Sequence, residues 1–293
     1  MSTQISNLGI GGSDNFSFIN MVRFLLFILF MSCQPKYDWL DTLPKPWNLN
    51  RREFSSYLPL FQKKYPNFLN RIKAFSLWQV GKPYQLFCLG EETGKDLDPI
   101  FRMDVSDCTV HILTSIASVQ SKNWDEARSN IIKIHYKKDT NGISMPTYKS
   151  RWHFTSDRIQ DNPSTRDITS QLIDQKQLSS VYLTLNEKKD GNEFLELGWK
   201  KPTIVYYIDS EKIDNKFLEK LPIVAGAAFV KESYFDMGLV VSHEGVIIDK
   251  SEIIHASSEF GKTVKMDFLE YLIPKGKPRF DGVIFFSFHP LDE

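Results

Sequence analysis

The stretch that decides the fold is Asp104-Val-Ser-Asp-Cys-Thr-Val-His-Ile-Leu-Thr-Ser-Ile-Ala-Ser-Val119. It runs from polar to apolar, and Val105, Ile112, Leu113, Ile116 and Val119 share one face at helical spacing. Ser106 or Asp107 is a good N-cap, so Cys108 falls in the first helical turn. Free backbone N–H groups and the positive end of the helix dipole favour a thiolate there. The same position also suits a half-buried cysteine with no chemistry.

A thiol nucleophile needs a histidine to move its proton and a polar group to orient that histidine. His243 sits in Leu-Val-Val-Ser-His-Glu-Gly-Val-Ile-Ile, and His255 in Glu-Ile-Ile-His-Ala-Ser. Both runs read as strands, joined through Asp249-Lys-Ser251 like a hairpin. Such a hairpin brings both rings to one end or face of a sheet, within hydrogen-bond reach. Two histidines on paired strands also suit zinc. No third ligand stands at suitable spacing, and Glu244 points to the face opposite His243. Neither a metal nor any other cofactor is expected.

Working outward, Tyr57 to Phe75 has helical spacing, and Gly81-Lys-Pro-Tyr84 breaks it. Asn123 to Tyr136 reads as a further amphipathic helix. Strands are expected at 180–185, 203–208, 227–231, 237–248, 252–255 and 282–288. Helices first and strands after make an α+β pattern. Lysine plus arginine is 36 and aspartate plus glutamate is 36, a balance that gives no basic footprint for a nucleic acid. Hydrophobic residues at 42% exclude wholesale disorder.

The three cysteines are Cys33, Cys88 and Cys108, too few for a disulfide framework and without a C-x-x-C pair. Cys88 lies among apolar neighbours and reads as a buried, inert thiol. Cys33 ends the run Met21-Val-Arg-Phe-Leu-Leu-Phe-Ile-Leu-Phe-Met-Ser-Cys33. Its apolar part is too short to span a bilayer of about 30 Å and has the length of a signal-peptide core. With Ser32-Cys33 it resembles the end of a bacterial lipoprotein signal, which implies a lipid on Cys33 and a place in the cell envelope or periplasm. The expected organisation is an extension and signal over 1–33, a Trp- and Pro-rich tether over 34–64, and a catalytic domain over 65–293. A helical insertion at about 120–200 is expected to build one cleft wall. A monomer is expected.

Several segments in fixed order carry a family resemblance. They are Gly81-Lys-Pro-Tyr84, Asp107-Cys108 opening a helix, Ser150-Arg-Trp-His-Phe154, Asp167-Ile-Thr169, and Gly238-Leu-Val-Val-Ser-His-Glu-Gly245, followed by His255-Ala-Ser257. Over residues 65–290 the chain resembles the N-acetylmuramoyl-L-alanine amidase-like branch of the NlpC-type superfamily of papain-like peptidoglycan hydrolases. The resemblance implies a papain-like α+β core with an antiparallel sheet, the catalytic cysteine at a helix N-terminus and an added helical subdomain. It implies cleavage of the amide between N-acetylmuramic acid and L-alanine in muropeptides. Cys108 would be the nucleophile, His243 the acid–base and His255 its orienting partner. Tyr84 would donate to the oxyanion or shape the cleft, and Asp107 and Ser242 would bind substrate. Arg151 and His153 would bind peptide carboxylates or sugar, because the arginine fork suits a carboxylate. The chain departs from the branch at Val110-His-Ile-Leu113 after the cysteine, at Ala227, at Phe154, and at Glu244, where valine is usual. Alternatives are a γ-D-glutamyl endopeptidase on the stem peptide and a catalytically silent envelope-binding lipoprotein.

Overall fold

Asparagine and aspartate side chains set where the helices begin. The computed structural model describes residues 37–291, and its α-helices and strands all belong to the unit that starts at Trp39. Helix α1 (Arg51–Lys64) starts at Asn50, whose Oδ1 accepts from the Glu53 N–H at 3.0 Å. Glu53 Oε2 accepts from the Asn50 N–H at 2.9 Å, so two otherwise orphaned donors are satisfied reciprocally. Asn67 caps α2 (Phe68–Trp78), Asp107 caps α3 (Cys108–Ser118) and Asn123 caps α4 (Trp124–His135). The helical pattern over 57–75 is broken at Tyr65-Pro66. Pro66 has no N–H and disfavours helical backbone before it, and Tyr65 sits at φ −125°, ψ 81°.

The expected tether over 34–64 does not hold for its described part from Trp39. Helix α1 buries Phe54, Leu58 and Phe61. Phe54 stacks on Trp78 at 6.0 Å and meets Trp124 edge-on at 5.6 Å, while Phe61 lies 5.1 Å from Trp78 and 5.2 Å from Trp39. Tryptophan and proline suggested a linker because the rings that cover these side chains lie far along the chain.

The remaining helices are short: α5 (Thr155–Asp161), α6 (Thr169–Leu172), α7 (Asn215–Leu218) and α8 (Phe268–Leu272). The strands are β1 (Thr165–Asp167), β2 (Ser179–Leu185), β3 (Lys201–Asp209), β4 (Val224–Val230), β5 (Val241–Ile248), β6 (Glu252–Ser257), β7 (Lys262–Asp267) and β8 (Gly282–Phe288). They form one sheet in the order β2-β3-β8-β4-β5-β6-β7. Every neighbouring pair is antiparallel, and β1 and β3 share one edge of β8 at Phe286–Phe288 and Gly282–Val283. The expected α+β class with an antiparallel sheet is what the chain adopts. The stretch 120–200 is mixed rather than helical, since β1 and β2 lie within it and join the sheet. Strand β5 starts at Val241 rather than 237, because Gly238 takes a left-handed φ of 69° and closes a preceding 3-10 turn.

Helix α3 is buried on every side from Val110 to Ser118. It lies against β5 and β6, with α2 and α4 packed on it. A helix that is mostly apolar around its circumference belongs inside. On the other face of the sheet, Phe229, Ile247, Ile253 and Phe285 pack with Phe217, Phe268, Tyr271 and Leu272. Only the first turn of α3 reaches an open surface, so the fold presents Cys108 and buries the rest.

Phe54→Ala leaves a void among the rings of Phe75, Trp78, Phe101 and Trp124. Urea unfolding should show a loss of about 3–5 kcal/mol with little change in slope. A loss under about 1 kcal/mol would mean that α1 does not belong to the core.

Candidate active site

Asp107 fixes the mouth of the site. Its Oδ1 accepts from the Val110 N–H at 2.8 Å and its Oδ2 from the Phe87 N–H at 3.0 Å. One carboxylate therefore starts the helix and pins the rim of a cleft of about 620 Å³. Phe87 is held at φ 53°, an uncommon backbone for a non-glycine residue, and its ring stands exposed at that rim. Cys108, Asp107, His243, Ser242, Arg151 and His153 all line this cleft.

The two strand histidines meet. His243 Nε2 lies 2.9 Å from His255 Nδ1, with the rings edge-on. Both point to one face of the sheet, as the hairpin spacing led us to expect. Gly245 permits the approach, because a Cβ there would lie 3.0 Å from the His255 Cβ. Tyr271 from α8 packs 4.4 Å from the His255 ring, and Phe229 stacks 5.8 Å from His243. Burial and then the neighbouring His255 lower His243 to about 3, and burial with Arg279 lowers His255 to about 4. Both imidazoles are neutral near pH 7. Among the described residues His243 Nδ1 has no hydrogen-bond partner, which leaves it available to the cleft.

The thiolate expected from the helix start is not the resting form. Burial raises the Cys108 thiol, and the Asp107 and Glu244 carboxylates raise it further. The Glu244 amide beside the sulfur offsets this only in part. Burial first, and the two carboxylates after it, oppose the helix dipole here. These shifts favour a neutral thiol and a neutral imidazole near pH 7.

Other expected site residues fall differently. Tyr84 is half-buried and does not line the cleft; its phenol hydrogen-bonds Ser258, and burial raises it first, with Cys108 next. The Arg151 guanidinium is already held by two carboxylates, Glu91 at 2.5 Å and Asp96 at 2.9 Å. It is therefore not a free fork for a substrate carboxylate. His153 Nε2 lies 2.6 Å from the Tyr148 carbonyl, and burial lowers it to about 4, so it donates as a neutral ring. The Ser242 hydroxyl donates to the Phe229 carbonyl at 3.3 Å. Asp107 spends both oxygens on backbone amides. Cys88 is buried, and burial pushes its thiol up to about 12, consistent with inertness. Cys33 and its signal lie outside the described residues.

The sequence did not reveal the ties around Glu244. As expected it turns away from His243. There its Oε1 accepts from Thr109 at 2.7 Å and Thr155 at 3.3 Å, and its Oε2 accepts from Arg158. The hints were adjacency, since Thr109 follows Cys108 and Glu244 follows His243, and the glutamate itself, where the family usually has valine.

A helix-borne cysteine and a histidine pair opening on one cleft fit a hydrolase of amide bonds. The chain belongs to the N-acetylmuramoyl-L-alanine amidase-like (AmiA-like) family, whose sequence profile matches residues 74–277. It is similar in fold to a protein from Legionella pneumophila at 22% identity, covering 80% of this chain and 94% of that one, with a TM-score of 0.63. It is also similar to an N-acetylmuramoyl-L-alanine amidase from Bacteroides uniformis at 17% identity, covering 76% and 99%, with a TM-score of 0.58. A Bacteroides fragilis chain named as a candidate xylanase matches at 21% identity, covering 73% and 99%, with a TM-score of 0.56. No curated protein matches.

Burial holds His111, His243 and His255 at about 3, 3 and 4, against an ordinary 6.5. Below 6.5 the unfolded chain binds protons that these folded rings refuse. Stability should therefore be full above that pH and fall as pH drops toward about 4, by up to about 1.4 kcal/mol per pH unit for each ring. His111 has both ring nitrogens buried without a partner. His111→Leu should flatten the slope of urea midpoint against pH between 6.5 and about 4. An unchanged slope would show that this ring does not resist protonation.

Proposed function

We propose that the protein hydrolyses the amide between N-acetylmuramic acid and L-alanine in peptidoglycan fragments by a Cys-His-His mechanism on a papain-like, NlpC-type core. The observation that carries this reading is Cys108 at the open start of α3 sharing one cleft with His243, which is itself bonded to His255. Family membership supplies the substrate class. His255 accepts at Nδ1 from the Nε2–H of His243, which leaves the Nδ1 lone pair of His243 for the thiol. As Sγ attacks the lactyl carbonyl carbon, the thiol proton passes to Nδ1. Because both groups rest neutral, the proton moves with the attack rather than before it. The Cys108 amide, which the Asp107 cap does not use, donates to the developing oxyanion. The imidazolium then protonates the L-alanine nitrogen, and the stem peptide leaves. Water, deprotonated by His243, hydrolyses the thioester and frees the sugar carboxylate and the thiol.

Arg151 acts on the wall, tying it to Glu91 and Asp96, and His153 and Ser242 face the substrate. Tyr84 shapes the site from beside Cys108. We place the protein in the cell envelope, anchored through a lipid on Cys33. Among the described residues no helix is long and apolar enough to cross a membrane.

Mass spectrometry of purified protein with anhydro- and reduced muropeptides tests the reading. Free stem peptide should accumulate, and Cys108→Ser or His243→Ala should reduce its rate at least ~10³-fold while the fold persists. Cleavage inside the peptide would replace the amidase reading with the endopeptidase. A folded protein that binds muropeptides without cutting them would leave the binding lipoprotein.

A further inference from the structure

The sheet places Glu244 on the face opposite His243, fully buried and paired with Ala228 of β4. Four groups converge on it from two helices, α3 and α5. Its backbone amide lies on the side of the Cys108 sulfur and favours the thiolate there. Its Oε1 accepts from Thr109, the residue after the nucleophile, at 2.7 Å. The same oxygen accepts at 3.3 Å from Thr155, the first residue of α5, which directly follows the cleft-lining segment 151–154. Its Oε2 takes the Arg158 guanidinium, also on α5 and fully buried. Arg158 lies 5.9 Å over the Phe286 ring of β8, and its Nε and Nη1 have no partner. Among the described residues Glu244 is thus its one charged partner.

We propose that Glu244, held by Arg158, is a positioning residue that locks the Cys108 turn, the His243 strand and the 151–154 wall into one register. The proposal rests on the amidase reading for its substrate, but its geometry does not. A buried ion pair is a costly way to fasten three elements, since an apolar pair of similar volume is often as stable. What the pair adds is direction. A carboxylate accepts along fixed lone-pair axes from Thr109 and Thr155, whereas a valine at 244 would let α5 and the first turn of α3 slide.

Removing Glu244 alone strands Arg158 in the core and invites misfolding, so the test uses Glu244→Val together with Arg158→Met. Two readouts are compared with wild type once urea unfolding has confirmed that the variant folds. The first is muropeptide turnover, where kcat should fall at least tenfold while KM stays within about threefold. The second is the pH dependence of iodoacetamide alkylation at Cys108, with buried Cys88 as the internal control. The ionisable groups facing Cys108 are Asp107 from its own cap, Glu244 and His243 from β5, Tyr84 from the 81–84 segment and Tyr271 from α8. Of these the variant deletes only Glu244, and it removes the opposite charge of Arg158 with it, so the net charge near the thiol is unchanged and a shift of the alkylation midpoint in either direction reports displacement of the Cys108 turn. A purely structural pair would leave both readouts at wild-type values in a folded variant. Either readout at its wild-type value overturns the proposal. If wild type cuts no muropeptide, the amidase reading fails, and the alkylation profile still decides the role of Glu244.

Discussion

The structure depends on one carboxylate. Asp107 accepts from Val110 and from Phe87, so it both begins the buried helix and ties the cleft rim to that beginning. A buried helix has four amide donors at its start that need partners. Here the cap takes the Val110 amide and sets Cys108 at the cleft. Cys108 is presented by the same carboxylate that pins the rim.

The second constraint is the antiparallel hairpin of β5 and β6. Side chains alternate along a strand, so His243 and Glu244 must face opposite ways. One faces His255 and the cleft, the other faces Arg158 and the helix layer. A single strand therefore carries an imidazole facing the cleft on one side and an ion-paired carboxylate on the other. The absence of a side chain at Gly245 lets the two rings meet at 2.9 Å.

Burial runs through the chemistry. It holds the histidines neutral and the thiol protonated, the opposite of a preformed thiolate–imidazolium pair. The same burial makes the fold sensitive to acid, so site and stability share one set of side chains.

Much of the site was legible in the sequence because it is written locally. The cap and the apolar spacing after it located α3 and its cysteine, and alternation with a short turn located the two histidines. What was not legible depends on partners far along the chain. Phe54 read as tether until Trp78 and Trp124 closed over it, and Trp39 until Phe61 did, while β7 had too few apolar residues to announce itself. Arg151 read as a substrate fork until Glu91 and Asp96 took its donors. The helix start argued for a thiolate until two carboxylates and burial reversed it. The sequence by itself determined where the helices and core strands lie and which residue types could react, since capping and periodicity act within a few residues. Only the tertiary structure decided which charges neutralise one another and which protons stay on, because those depend on distances between segments that the chain order does not contain.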